Sequence, residues 1–160
     1  MDTETLRKSY KPDRIKLLFI GESPPQSGNF FYDKGSLTSF TLRAFEKVFD
    51  RVFSDTHSFL IFFRLSGCYL EDICLEPVDK LPPKERTMML KDSIEYFSGR
   101  LKEYSPEAIV IVLKRIESHV KAALRKAKIS CPVYTLPFPG FGHQKNYITK
   151  LCEILQKHLQ

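Results

Sequence analysis

The first apolar run of the chain leads directly into residue types that could do chemistry. The segment "LLFIGESPPQSGNFFYD", residues 17–33, places Glu22 behind that run and then three consecutive aromatic residues at 30–32. A carboxylate can orient water or move a proton, and aromatic rings offer flat faces on which a nucleobase can stack. The segment therefore predicts acid–base chemistry next to a planar ligand.

Secondary structure of alternating type must hold these residues in place. Apolar runs of strand length alternate with helical periodicity, which is the pattern of βα units around a parallel sheet. Strands are predicted at residues 15–21, 68–73, 108–113 and 131–137, and helices over 37–49, 89–101, 116–129 and 146–159. The predicted fold class is therefore α/β, a three-layer α/β/α arrangement with a four-stranded, mainly parallel central sheet.

One apolar segment fits two structures. Phe59 to Phe63 could form a buried strand or the end of a helix that Gly67 terminates. We favour the helix, followed by the strand at 68–73. In the next helix the apolar spacing predicts a buried stripe that includes Met89, Ile94, Phe97 and Leu101.

The strand ends predict where a ligand would bind. The carboxyl ends of parallel strands meet at one edge of a sheet, and ligands usually bind there. This rule brings Glu22 together with Asp72, with Lys114 and Arg115, and with the final loop "PFPGFGHQK" at 137–145. A carboxylate, stackable rings, a polar edge reader and positive charge together suit a flipped base and its phosphates.

Length, charge and cysteine content limit the classes of protein to which the chain can belong. The chain of 160 residues carries a net charge of +6, which predicts one domain, 1–160, and favours a polyanionic partner. Its four cysteines form no C-x-x-C pair, so neither a zinc ribbon nor a local iron–sulfur motif is encoded. We expect reduced core thiols, no metal and no cofactor. Without a signal-peptide pattern or a run of about eighteen apolar residues, the expected state is a cytoplasmic monomer with no membrane association.

Four short segments are similar to the active-site motifs of a known superfamily. "GESPP" at 21–25 resembles Gly-Glu-x-Pro-Gly, and "GNFFYD" at 28–33 resembles an element that places an aromatic ring against the base. "YLEDIC" at 69–74 resembles a strand that ends in a base-reading Asn, and "LPFPGFGHQ" at 136–144 resembles a final His-Pro motif. In this order they resemble the uracil-DNA glycosylase superfamily, and most closely its thermophilic iron–sulfur branch. The resemblance implies a glycosylase that hydrolyses the N-glycosidic bond of a damaged or uracil base flipped out of DNA.

The resemblance also assigns roles to residues. Glu22 would orient the attacking water, Phe31 would stack on the base and Asp72 would read the edge of the base. The candidate catalytic residues are Glu22 and His143, of which His143 lies outside the matched motif. The candidate substrate-binding residues are Gly21, Pro24, Phe31, Asp72, Pro139 and Gly140, and the candidate DNA-backbone contacts are Lys114, Arg115, Gln144 and Lys145.

Three departures from the pattern bear on activity. Phe138 stands where the superfamily has its histidine, and a phenyl ring cannot stabilise negative charge on a departing base. His143 could substitute if the loop folds back. Asp72 replaces the Asn, and an ionised Asp only accepts hydrogen bonds, so it would accept from an exocyclic amine or a ring N–H. The cysteines that hold the cluster of the iron–sulfur branch are missing.

The same residues also fit structural roles. Glu22 could simply place negative charge at the amino end of the following segment, Asp72 could cap a strand, and one of Phe30 and Phe31 is expected in the core. A second function class is therefore a catalytically silent module that binds nucleic acid or a nucleotide. A third is a small doubly wound domain that binds another anionic ligand, because a fold alone does not fix function.

Overall fold

A four-stranded sheet forms the centre of the molecule. The computed structural model describes residues 2–26 and 28–160. Its strands are β1 (Leu17–Gly21), β2 (Cys68–Asp72), β3 (Ala108–Ile111) and β4 (Val133–Thr135), in the spatial order β2-β1-β3-β4. All neighbouring strands are parallel, and β1 and β3 are buried along their whole length. Burial on both faces explains why these two strands are continuous apolar runs. The predicted α/β class is confirmed.

Helices cover both faces of this sheet. They are α1 (Thr3–Ser9), α2 (Ser36–Phe49), α3 (Thr56–Leu65), α4 (Pro83–Tyr104), α5 (Glu117–Ala127) and α6 (Gln144–Leu159), with a 3₁₀ turn at Lys114–Ile116. Helix α2 packs against α6 and α3, whereas α4 packs against α5. The result is three layers, as predicted. Within the described ranges, none of the helices is both long and apolar enough to cross a membrane.

The ambiguous apolar segment is helical. Asp55 caps α3, because its carboxylate accepts a hydrogen bond of 2.7 Å from the backbone N–H of Ser58. The helix buries Phe59 and Phe63 against the sheet, and Gly67 follows its end with φ +81°, a conformation that glycine adopts without strain. The preference for a helix is confirmed.

Two details of the predicted core were wrong. Met89 is exposed, because the face of α4 that turns inward carries Leu90, Phe97 and Leu101 instead. The four cysteines are free, as expected, but only Cys68 and Cys74 are buried, and the other two are half-buried at the periphery.

Side chains cover the outer edge of β2. The Tyr32 hydroxyl donates to the carbonyl of Leu70 at 2.9 Å and accepts from the N–H of the same residue at 2.6 Å. Arg7 from α1 donates to that carbonyl at 3.1 Å. Arg100 from α4 donates to the carbonyl of Asp72 at 3.0 Å and to the next one at 2.8 Å. Long side chains thus anchor the outer edge of β2, with which no further strand pairs among residues 2–26 and 28–160.

Candidate active-site cleft

A cleft of about 700 Å³ opens at the carboxyl edge of the sheet. It lies where the strand order reverses, because the chain passes from β1 to β2 on one side and then crosses to β3 on the other. Residues 21–25 at the end of β1 and residues 112–115 at the end of β3 form two of its walls. Such reversal points are the usual ligand sites of open α/β sheets.

Most of the predicted site residues meet in this cleft. Those that line it are Gly21, Glu22, Pro24, Phe31, Asp72, Lys114, Arg115, Gly140 and His143. Three others lie outside the lining. Pro139 is buried within the loop, while Gln144 and Lys145 belong to the first turn of α6, where Lys145 is exposed.

Glu22 is held by two arginine side chains. Nε of Arg86 lies 3.1 Å from each carboxylate oxygen of Glu22, and Nη2 of Arg86 makes a further short contact with Oε1. Nη2 of Arg115 lies 3.0 Å from the same Oε1. The Glu22 side chain is only 7% exposed. This buried carboxylate therefore has its charge balanced by partners from α4 and from the 3₁₀ turn.

Asp72 is held by the first helix of the chain. One carboxylate oxygen, Oδ2, accepts a hydrogen bond of 2.8 Å from Nη2 of Arg7, whose side chain is fully buried. Within residues 2–26 and 28–160 no hydrogen bond reaches the other oxygen, Oδ1. Burial raises the pKa of Asp72, and Arg7 counteracts that rise by favouring the ionised form. The free oxygen can accept one hydrogen bond from a ligand.

Gly21 makes room for this carboxylate. Gly21 and Asp72 are paired neighbours on β1 and β2. A Cβ atom at Gly21 would lie only 2.5 Å from Oδ1 of Asp72, far inside van der Waals contact. The absence of a side chain at position 21 therefore lets the Asp72 carboxylate lie against β1 in the wall of the cleft.

A second buried acid extends the ionic cluster. Glu71 Oε1 lies 3.0 Å from Nη1 of Arg100 and 3.3 Å from Nε of Arg7. The Tyr104 hydroxyl donates to Oε2 of Glu71. Arg7 and Arg100 thus pair with two buried acids behind the cleft, as buried charges require, and Arg7 also contacts the partly exposed Glu4.

Both aromatic residues of the predicted stacking element are buried. Phe30 lies under the guanidinium of Arg7, 5.2 Å from its ring centroid. Phe31 packs against Phe63 and edge-on against Tyr32, with centroids 5.4 and 5.1 Å apart. One of the two was expected in the core, and the structure buries both. Phe31 still forms part of the cleft wall.

The final loop contributes exposed aromatic rings. Phe138 is 40% exposed. Phe141 is fully exposed and has φ +51°, a left-handed conformation that costs a non-glycine residue about 1–2 kcal/mol. His143 precedes α6, lines the cleft and has an exposed side chain. These rings lie at the mouth of the cleft.

Neither a protein-family model nor a curated protein matches the chain. The case for its function therefore rests on the cleft.

Sequence reasoning missed the residues that hold the two carboxylates. Arg86 lies 64 positions from Glu22 and Arg7 lies 65 positions from Asp72, whose carboxylates they bind. The segment around Arg86 has no motif, and α1 has no apolar stripe. The one available signal is physical: a buried carboxylate requires a partner, and arginine is the residue best suited to supply it.

What this arrangement can do follows from its parts. One wall offers an apolar ring, a second offers a hydrogen-bond acceptor at Asp72 and a third offers a carboxylate among cations. A flat ligand with an N–H donor and an attached anionic group would match all three. A nucleotide has that composition.

Proposed function

We propose that the protein is a DNA glycosylase that hydrolyses the N-glycosidic bond of a damaged or uracil base flipped out of DNA into the cleft. The observation that carries the proposal is the convergence of Glu22, Phe31 and Asp72 on one cleft from two distant parts of the chain, the segment after β1 and the end of β2. Flipping is required because the glycosidic bond is inaccessible inside a duplex.

The reaction needs a carboxylate near the sugar. The bond between C1′ and the base nitrogen breaks, and its electron pair leaves with the base. Water oxygen then bonds to C1′, and one water proton passes to the base, so that the products are the free base and an abasic sugar. Glu22 would orient this water and offset positive charge on the sugar.

Base recognition would fall to Asp72. Because Arg7 occupies Oδ2, the free Oδ1 would accept one hydrogen bond from a ring N–H or an exocyclic amine of the base. Phe31 would form the apolar wall against which the base lies. The proposed substrates are therefore bases with an N–H donor on the edge that enters the cleft.

The surroundings of the cleft suit a nucleic acid strand. Lys114 and Arg115 line it and are exposed, and the chain has a net charge of +6. Cations of this kind bind phosphates without reading sequence, and the exposed Phe138 and Phe141 rings could stack on neighbouring bases. The proposal is of a cytoplasmic monomer that acts on DNA.

A second candidate is a nucleic-acid-binding module without catalysis. It is favoured by the two arginines on Glu22, which occupy Oε1 and reduce the net negative charge available to a sugar cation. It is also favoured by Phe138, which cannot stabilise a departing base anion.

Excision assays separate the two candidates. Duplexes that carry uracil, hypoxanthine or xanthine are incubated with excess protein and then cleaved with alkali at abasic sites. Glu22→Gln should lower the excision rate by about 10²–10⁴-fold. Glu103→Gln, which changes the same charge at the exposed far end of α4, should leave the rate unchanged.

Each result decides between the candidates. Equal rates for wild type and Glu22→Gln would remove Glu22 from the mechanism. No cleavage of any duplex by the wild type, with retained salt-dependent binding, would establish the binding module instead.

A further inference from the structure

The two arginines on Glu22 are held with unequal strength. Arg86 contacts both carboxylate oxygens and its side chain is 21% exposed, whereas Arg115 contacts only Oε1 and is 53% exposed. A bidentate, largely buried ion pair is the stronger kind, and an exposed single contact contributes little. Arg115 is therefore the partner that a competing anion can remove.

The lining around Glu22 carries more positive than negative charge. Arg86, Arg115 and Lys114 all line it, and they outnumber the single carboxylate of Glu22. Asp72, the other acid of the cleft, is neutralised by Arg7 on the opposite side. An anion that enters the cleft therefore meets excess positive charge. Of the two guanidinium groups that contact Glu22, that of Arg115 is the more exposed.

We infer that Arg115 exchanges partners when substrate binds, leaving Glu22 for a phosphodiester group of the bound strand, while Arg86 remains in place as the positioning residue of the carboxylate. The exchange removes one of the two guanidinium groups that offset the charge of Glu22. No covalent step is involved, and one guanidinium contact is replaced by another.

The catalytic consequence rests on the proposed function. Before exchange, Oε1 is contacted by Arg86 Nε, Arg86 Nη2 and Arg115 Nη2, so both arginines offset the charge of Glu22. After exchange, the carboxylate has lost one of its two positive partners, and its remaining charge attracts water and a sugar cation more strongly. Efficient hydrolysis would then depend on a bound phosphate, so that a strand is hydrolysed in preference to a free nucleoside.

Exchange can be measured by binding alone, without any excision. If Glu22 competes with phosphate for Arg115, removing its charge should tighten phosphate binding. Fluorescence anisotropy would follow a single-stranded oligodeoxynucleotide of about eight nucleotides at fixed salt. The variants are Glu22→Gln, Arg115→Gln and the double variant, and Glu103→Gln controls for the change in net charge.

Exchange predicts a specific pattern of affinities. Glu22→Gln should bind about three- to tenfold more tightly than wild type, Glu103→Gln should bind as wild type does, and the gain should vanish in the double variant. The inference is overturned if Glu22→Gln shows no gain, if the gain persists without Arg115, or if Glu103→Gln gains equally.

A measurement on the wild-type protein covers the case in which Glu22→Gln does not fold. In ¹⁵N-arginine NMR, the oligodeoxynucleotide should shift the guanidinium signals of Arg115 and leave those of Arg86 in place. Exchange would be refuted if the Arg86 and Arg115 signals shift together, if the Arg115 signals do not shift although the strand binds, or if the strand does not bind at all. Exchange without excision of any base would instead reject the glycosylase and retain the anion site.

Discussion

Arg7 should be among the residues on which stability depends most. Its fully buried guanidinium contacts Glu4, Glu71 and Asp72 at 2.9, 3.3 and 2.8 Å and the carbonyl of Leu70 at 3.1 Å. Arg7→Met keeps an unbranched apolar stem, is shorter than arginine and removes every one of these contacts. Two buried carboxylates then lose a positive partner.

The expected cost is large compared with the stability of a small protein. Removing one partner of a buried ion pair typically costs about 3–5 kcal/mol, and the whole free energy of unfolding is commonly about 5–15 kcal/mol. The matched control is Arg14→Met. Arg14 pairs with Glu107 at 3.1 Å, but both side chains are substantially exposed, so its loss should cost about 0–1 kcal/mol.

The cost of Arg7→Met should depend on pH. Burial already raises the pKa of Asp72 above its ordinary value of 3.8, and Arg7 opposes that rise. Without Arg7 the pKa of folded Asp72 rises further. A raised pKa means that the folded state is favoured when the group is protonated, and that stability falls as pH increases through the folded pKa. The deficit of Arg7→Met should therefore be larger at pH 7 than at pH 5.

Urea unfolding of both variants and wild type at these two pH values tests the argument. The difference in unfolding free energy is taken from the transition midpoints and slopes. A deficit below about 1 kcal/mol at pH 7, a deficit that does not change with pH, or an equal deficit for Arg14→Met would each show that the buried cluster does not work as described.

Two further substitutions test the walls of the cleft. Gly21→Ala places a Cβ atom 2.5 Å from Oδ1 of Asp72, so the carboxylate must move, and the free energy of unfolding measured in urea should fall by about 1–3 kcal/mol. The control is Gly99→Ala, whose added Cβ meets nothing within 4 Å and should leave the free energy of unfolding unchanged or raise it. Phe31→Leu retains apolar bulk but loses the flat face, and should weaken binding of a uracil-containing oligodeoxynucleotide by about 1–3 kcal/mol, measured by anisotropy. Unchanged affinity in a folded Phe31→Leu variant would remove the stacking role.

The fold was predictable because its signals are local. The buried strands β1 and β3 are continuous apolar runs in the sequence. In α2, apolar residues recur at three- and four-residue steps. Once the strands were placed, their shared carboxyl edge predicted that Glu22 and Asp72 would line one cleft, as they do. Neither inference needed any contact between distant residues.

What the sequence did not predict are contacts that only the tertiary structure creates. Arg86 and Arg7 are ordinary basic residues of helices until folding brings them to a buried carboxylate. Phe31 was expected at the cleft, and it both lines the cleft and packs in the core. Met89 was expected in the core, but it is exposed. Aromatic spacing alone cannot separate packing from ligand contact, and helical periodicity leaves the rotation of a helix uncertain by about one residue.

The side chains that cover β2 have a consequence for association with other chains. An edge strand with free N–H and C=O groups can pair with a strand of a second molecule, which leads to dimers or fibrils. Tyr32 occupies both backbone groups of Leu70, and Arg7 shares its carbonyl. Loss of these side chains would therefore expose a template for strand addition. Variants at this edge should be judged for self-association as well as for stability and ligand binding.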